Sequence, residues 1–105
     1  MGTLILGLVV HVISYKAIRS FTAERPDSTA PLDNWYRVAS GARWESLSEI
    51  RKTFASADWV APYVVFNIAG NKYRLIAEVN FPSQTLFIRH ILTHTEYDKG
   101  KWKQL

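Results

Sequence analysis

The sequence predicts an α+β domain: a small antiparallel sheet, made of a three-stranded C-terminal meander plus an N-terminal strand, packed on N-terminal helices. Three observations predict it. Residues 72–79 alternate strictly, with Tyr73, Leu75, Ala77 and Val79 to one side and Lys72, Arg74, Ile76 and Glu78 to the other, the two-residue period of a half-buried strand. Turn-forming stretches flank that run, Gly70-Asn71 before it and Asn80-Phe81-Pro82-Ser83 after it, as meander connections require. The first half carries its apolar residues at helical spacing instead. A chain of 105 residues, 48% of them apolar, is one domain (residues 1–105) with enough apolar surface to close a core.

Taken in order, residues 4–13 are nearly all apolar but include Gly7 and His11. About ten residues fall short of the roughly 20 that a membrane helix needs, and neither a basic start nor a small-residue cleavage site of a secretory leader is present. Residues 9–14 (VVHVIS) are rich in β-branched residues and form the first strand. Ser14 can cap a helix in which Tyr15, Ile18 and Phe21-Thr22 follow at helical spacing, and Arg25-Pro26-Asp27 ends it. A second helix starts at Ser28 or Thr29, with Pro31 in its first turn and Leu32, Trp35, Tyr36, Val38 and Ala39 as its apolar stripe. Ser46 and Glu49 have capping-box spacing and open a short third helix with Leu47, Ile50 and Phe54 inward and Arg43, Arg51 and Lys52 outward as solvated charges. Residues 55–62 read as a connector anchored on the core by Trp59 and Val60.

The meander has a register that can be worked out. With Gly70-Asn71 as the loop, Asn67 meets Arg74, Phe66 meets Leu75 and Val64 meets Ala77, so apolar faces apolar. With residues 80–83 as the second loop, Val79 meets Gln84, Ala77 meets Leu86 and Leu75 meets Ile88. That register sets Arg74 opposite Arg89 on the open face, Lys72 across from Ile91, and His90 on the core face opposite Tyr73. Like charges directly opposite one another are unfavourable, which points either to an anion between the arginines or to neutralisation by Glu78, Glu96 or Asp98. Thr93 and Glu96 then cap a short helix that ends at Gly100, with His94 in its first turn and Tyr97 on the same side. The lysines at 99, 101 and 103 read as a solvated tail.

Bulk properties narrow the chemistry. A net charge of +4 and a pI of about 9.6 favour an anionic partner such as nucleic acid. There is no cysteine, so disulfide frameworks and thiolate metal sites are excluded. His11, His90 and His94 form no metal-ligand pattern, and neither metal nor cofactor is expected.

The combination VFNIAGNKYRLIAEV, FIRHILTHTEYDKG, at this spacing, resembles the HigB-type toxins of bacterial type II toxin–antitoxin systems, in the RelE-like superfamily of messenger-RNA interferases. The likeness is strongest over residues 63–100 and weaker upstream. It implies a cytoplasmic toxin that cleaves mRNA in the ribosome without metal, by attack of a ribose 2′-OH on the adjacent phosphate to leave a 2′,3′-cyclic phosphate. It also implies a cognate antitoxin of helix-turn-helix type, with operator DNA bound only by the complex, and no membrane. Carried over by position, Arg74, Arg89, His94 and Tyr97 are the catalytic candidates, and Asn67, Asn71, Lys72 and Lys99 the RNA-binding ones. Ala69 stands where the motif more often has glycine. Members typically start shortly before a strand like residues 11–14, so residues 1–9 read as an N-terminal extension, with Val10 as an alternative start. The competing readings are a toxin of this fold that poisons DNA gyrase, for which His94→Ala would keep toxicity, and a plain RNA-binding module, for which the open face has too few aromatics.

Overall fold

The computed structural model describes residues 9–104; residues 1–8, most of the expected extension, lie outside them. Five strands, β1 (His11–Ile13), β2 (Asp58–Val60), β3 (Tyr63–Ile68), β4 (Tyr73–Asn80) and β5 (Thr85–Thr93), form one sheet in the order β1-β5-β4-β3-β2. Helices α1 (Tyr15–Glu24), α2 (Thr29–Ser40) and α3 (Leu47–Thr53) precede the meander, and α4 (His94–Lys99) follows it. The α+β class holds. The sheet is mixed, because β1 pairs parallel to β5, and the expected connector contributes β2, paired antiparallel to β3.

The main core lies between the sheet and the N-terminal helices. Ile18 and Phe21 of α1, Leu32, Trp35 and Ala39 of α2 and Ile50 of α3 pack against Val64, Phe66, Tyr73, Leu75, Ala77 and Leu86, the residues that the two periodicities select. Trp44, in the loop between α2 and α3, is buried in the same core and meets Phe54 and Phe66 edge to face and stacked. Trp59 is not an anchor: at the edge of the sheet it is 52% exposed.

The β3–β4 register is as the hydrophobic pattern requires, with Val64 on Ala77, Phe66 on Leu75 and Asn67 on Arg74. The β4–β5 register is not. Val79 pairs with Leu86 and Ala77 with Ile88, so each partner lies two residues further along than expected. The reason is Gln84. It adopts a left-handed backbone at φ 53°, and its buried amide accepts from the Trp44 N–H at 2.9 Å and donates to the Trp44 carbonyl. Satisfying both polar groups of a buried backbone unit takes Gln84 out of the ladder and into the loop.

A second departure follows. Between Ile76 and Ala77 the ladder shifts by one residue, Ile76 pairing with His90 and Leu75 with Ile91, so Arg89 is the extra residue of a bulge. The bulge inverts the alternation beyond it. Ile91 packs on the helix-side core. His90 stands opposite Ile76 rather than Tyr73, and Arg74 stands opposite Leu92 rather than Arg89.

The face away from the helices is partly roofed. Val65 and Ile76 are buried there beneath Trp102, with Val60, Tyr63, Leu92 and Tyr97 around them. Trp102 sits in a short 3-10 turn (Lys101–Gln104), stacks on Tyr97 at 5.2 Å and donates its indole N–H to the Tyr97 carbonyl at 3.0 Å. The C-terminal stretch is therefore a structural element and not a solvated tail.

Candidate active site

Most of the candidate residues are positioned by the β3–β4 turn and the helix that follows the meander. Ala69 and Gly70 hold positive φ angles of 55° and 68°, and the Lys72 N–H closes the turn on the Ala69 carbonyl at 3.2 Å. The Asn67 amide donates to the Asn71 side chain across it at 3.3 Å. The first N–H of α4, from His94, donates to the Lys72 carbonyl at 3.0 Å. Thr93 accepts from the Glu96 N–H while the Glu96 carboxylate accepts from the Thr93 N–H, the reciprocal capping box that the spacing predicts. Gly100, at φ 73°, terminates α4. Turn and helix are thus tied together, one cleft on each side.

The first cleft, about 480 Å³, is lined by Asn67, Arg74 and Tyr97 together with Arg51 and Asp58. Arg74 Nη1 donates to the carbonyls of Asn71 at 2.9 Å and Tyr73 at 3.2 Å. Its guanidinium carbon lies 5.3 Å from the centre of the Tyr97 ring, a cation–π arrangement. Among the described residues it forms no ion pair, so its positive charge is held by neutral groups and is uncompensated at short range. Burial raises the Tyr97 pKa, the negative charge of Asp58 raises it further, and Arg74 opposes them. Tyr97 is therefore a protonated hydroxyl, a hydrogen-bond donor, at neutral pH.

The second cleft, about 460 Å³, is lined by Arg25, Asn71, Lys72, Tyr73, Thr93 and His94. Lys72 does not share the Arg74 face. Its ammonium is bonded to Asp27, and the Tyr73 hydroxyl donates to the same carboxylate at 2.8 and 3.0 Å. The hydrogen bond from Lys72, then that from Tyr73, holds the Asp27 carboxyl below the usual range, and Asp27 in turn raises Lys72. The pair fastens the turn after α1 to the edge of the meander. His94 Nε2 lies 3.3 Å from Asp98 one turn on. Its imidazole and the Tyr97 ring line different clefts, Tyr97 being stacked on Trp102.

The remaining candidates lie elsewhere. Arg89 is committed to Glu78, Nε to Oε1 2.5 Å, and lines a separate cleft with α1; the expected Arg74–Arg89 pair does not exist. Lys99 lines a groove with His90, Leu92, Glu96, Lys101 and Trp102. Burial, then the charge of Arg89, lowers the His90 pKa. The residues that sequence reasoning missed are Arg51 and Asp58. Arg51 follows inward-facing Ile50 on α3, and the only available signal was that it occupies the last turn, from which a long side chain can reach past the helix end.

Comparison with known proteins places this geometry. The family described as "HigB_toxin, RelE-like toxic component of a toxin-antitoxin system" matches residues 28–100, which contain the turn, the first cleft and α4. The chain belongs to the HigB toxin family. Similar relatives include an mRNA interferase HigB of Escherichia coli O6:H1, 30% identical over 93 residues that cover 86% of this chain and 90% of that protein. The mRNA interferase toxin HigB of Escherichia coli K12 is 29% identical over 92 residues, 85% of this chain and 88% of that protein, and the Shigella flexneri mRNA interferase HigB matches to the same extent. A toxic component of a toxin–antitoxin system implies a cognate antitoxin. Among the described residues no helix is long and apolar enough to cross a membrane.

Proposed function

We propose that this HigB-family toxin is a cytoplasmic endoribonuclease that cleaves mRNA on the ribosome. Support comes from relatives named mRNA interferases, matched along most of their length, and from one feature of the first cleft: Arg74 is fixed by carbonyls and an aromatic face and forms no ion pair among the described residues. A guanidinium so placed matches a phosphate bidentately. The chemistry is attack of a ribose 2′-OH on the neighbouring phosphorus; the 2′-OH gives its proton to a general base as its P–O bond forms, and the bond to the 5′-oxygen breaks as that oxygen takes up a proton, leaving a 2′,3′-cyclic phosphate and a 5′-OH. Charge accumulates on the phosphorane oxygens, where a fixed cation lowers the barrier most. Tyr97, kept protonated, donates to those oxygens or to the departing 5′-oxygen. Asn67 and Asn71 hold the RNA along the turn, and His94, with Lys72 beside it in the second cleft, is the acid–base candidate for a strand that spans both clefts. The antitoxin is a small helix-turn-helix protein, and only the complex binds operator DNA.

Induction in a bacterial host, with primer extension on a reporter mRNA, tests this. Wild type is expected to create new mRNA ends. Arg74→Ala is expected to reduce cleavage by about 100-fold or more, the scale for loss of one transition-state charge partner, and Arg89→Ala by less. Growth arrest without new mRNA ends would reject the interferase reading, and full activity of Arg74→Ala would reject the cleft.

A further inference from the structure

Arg51 is a second cation in the Arg74 cleft. Its Nε donates to the carbonyl of Ala57 at 2.9 Å, a backbone group of a buried residue in the loop leading into β2. That bond uses one edge of the guanidinium and leaves the two Nη groups to the cleft. Their present partner is Asp58, at 3.6 Å from Nη2 to Oδ1. This is long for a charge-assisted hydrogen bond, and the side chains are 47% and 65% exposed. Arg89, by contrast, sits on Glu78 at 2.5 Å. One arginine is thus anchored at its Nε and only loosely countered at its tip, facing the same space as Arg74, Asn67 and Tyr97.

Resting on the nuclease reading above, we propose that Arg51 is the second phosphate ligand of this site and that Asp58 is its exchangeable counter-ion, displaced when an RNA phosphate enters. The chemistry follows from the geometry. A phosphate that enters a cleft lined by two guanidiniums, one from β4 and one from α3, meets both cations. A resident carboxylate avoids two uncompensated cations in the empty cleft. It also imposes selectivity, since only a group that competes with a carboxylate for Arg51 engages both arginines. Asp58 offers its Oδ1 to its neighbour's N–H, that of Trp59, at 2.9 Å, so the displaced carboxylate keeps a hydrogen bond after release.

The test uses the full-length toxin and a short single-stranded RNA whose 2′-oxygens are methylated, so that it binds but cannot be cleaved. Affinity is measured by fluorescence anisotropy over a range of salt. Arg51→Gln keeps an amide donor for the Ala57 carbonyl and removes the charge. It is expected to weaken binding and to lower the slope of log Kd against log salt by about 0.7, the share of one phosphate contact on a single strand. Asp58→Asn, which removes no core contact, is expected to tighten binding several-fold, and that gain is expected to vanish in the Arg51→Gln background. A gain that persists without Arg51 would mean that Asp58 merely repels RNA and would overturn the proposal. So would an Arg51→Gln slope equal to that of Lys16→Ala, an equal charge loss on the exposed side of α1. If those variants fail while Arg74→Ala still abolishes mRNA cleavage, the second-cation assignment alone is lost; if wild type neither binds the RNA nor cleaves mRNA, the nuclease reading goes with it.

Discussion

The two faces of the β-sheet are built to different rules. On the helix side, alternate strand residues meet helical stripes, and one large aromatic and aliphatic core results. On the other side a small cluster, Val65, Ile76 and Trp102, is ringed by the partly buried Val60, Tyr63, Leu92 and Tyr97 and borders the Arg74 cleft. Stability is concentrated on the first face, and the proposed chemistry on the second would depend on how a short C-terminal stretch lies over it. The lesson is that a functional face is not simply the face left bare. Here it is partly closed, and the closing element, through Trp102 on Tyr97 and Tyr97 on Arg74, orients the cation.

Neighbouring residues on β4 test that division. Leu75 and Ile76 are both fully buried, on opposite faces. Leu75→Ala is expected to destabilise by about 4 kcal/mol, near the upper range for a core truncation, as measured by urea unfolding. Ile76→Ala is expected to cost about 2 kcal/mol, because its thin cluster can settle or admit water. If Ile76→Ala proves the more damaging, the smaller cluster is the true keystone and the comparison is inverted. Trp102→Ala should fall between them, about 3 kcal/mol, and should reduce mRNA cleavage at temperatures where the protein is still fully folded. Trp102→Phe, which keeps a ring against Tyr97, should restore most of that activity.

The helix-side face was legible in the sequence because one strong period governs it. Tyr73, Leu75 and Ala77 could only face inward, and their β3 partners followed. The β4–β5 register was not legible. Its determinants are a glutamine amide that satisfies the backbone of Trp44, 40 residues away, and a bulge at Arg89. Neither leaves a mark in a local pattern, and both act through non-local polar pairing. The candidate site divides in the same way. Asn67, Asn71, Arg74 and Tyr97 come together as their spacing suggested. Arg89 separates because the bulge hands it to Glu78, and Arg51 joins through a helix end whose direction no period encodes.

Asp27 offers a smaller perturbation on the helix side. Its carboxyl is held below the usual range by Lys72 first and Tyr73 second, so the folded state favours the ionised form. The stability this linkage contributes is present above the unfolded carboxyl value of 3.8 and is lost as pH falls through the lower folded value. Lys72 is raised above 10.5, so its share is lost as pH rises through that folded value. Asp27→Asn is therefore expected to lower the melting temperature at pH 7, with the gap from wild type closing as acid protonates the native aspartate. A gap of unchanged size at pH 3 would assign the effect to packing.

The smallest expected effect lies at the turn between the clefts. Ala69 holds φ 55° and Gly70 holds φ 68°, and a side chain in the left-handed region is disfavoured by about 1 kcal/mol. Ala69 is exposed, so its methyl group gains nothing from packing that would offset the strain. Ala69→Gly relieves that strain but adds unfolded-state freedom, and the net is expected to be a stabilisation of about 0.5 kcal/mol, readable as a small rise in the urea midpoint. Its effect on activity separates two views of the turn. If the turn only joins β3 to β4, a relaxed turn leaves cleavage unchanged. If its carbonyls fix Arg74, as the Asn71 bond indicates, the more mobile glycine lowers cleavage while stability rises. Opposite movement of the two readouts would mean that strain at Ala69 is retained because it holds the guanidinium in place.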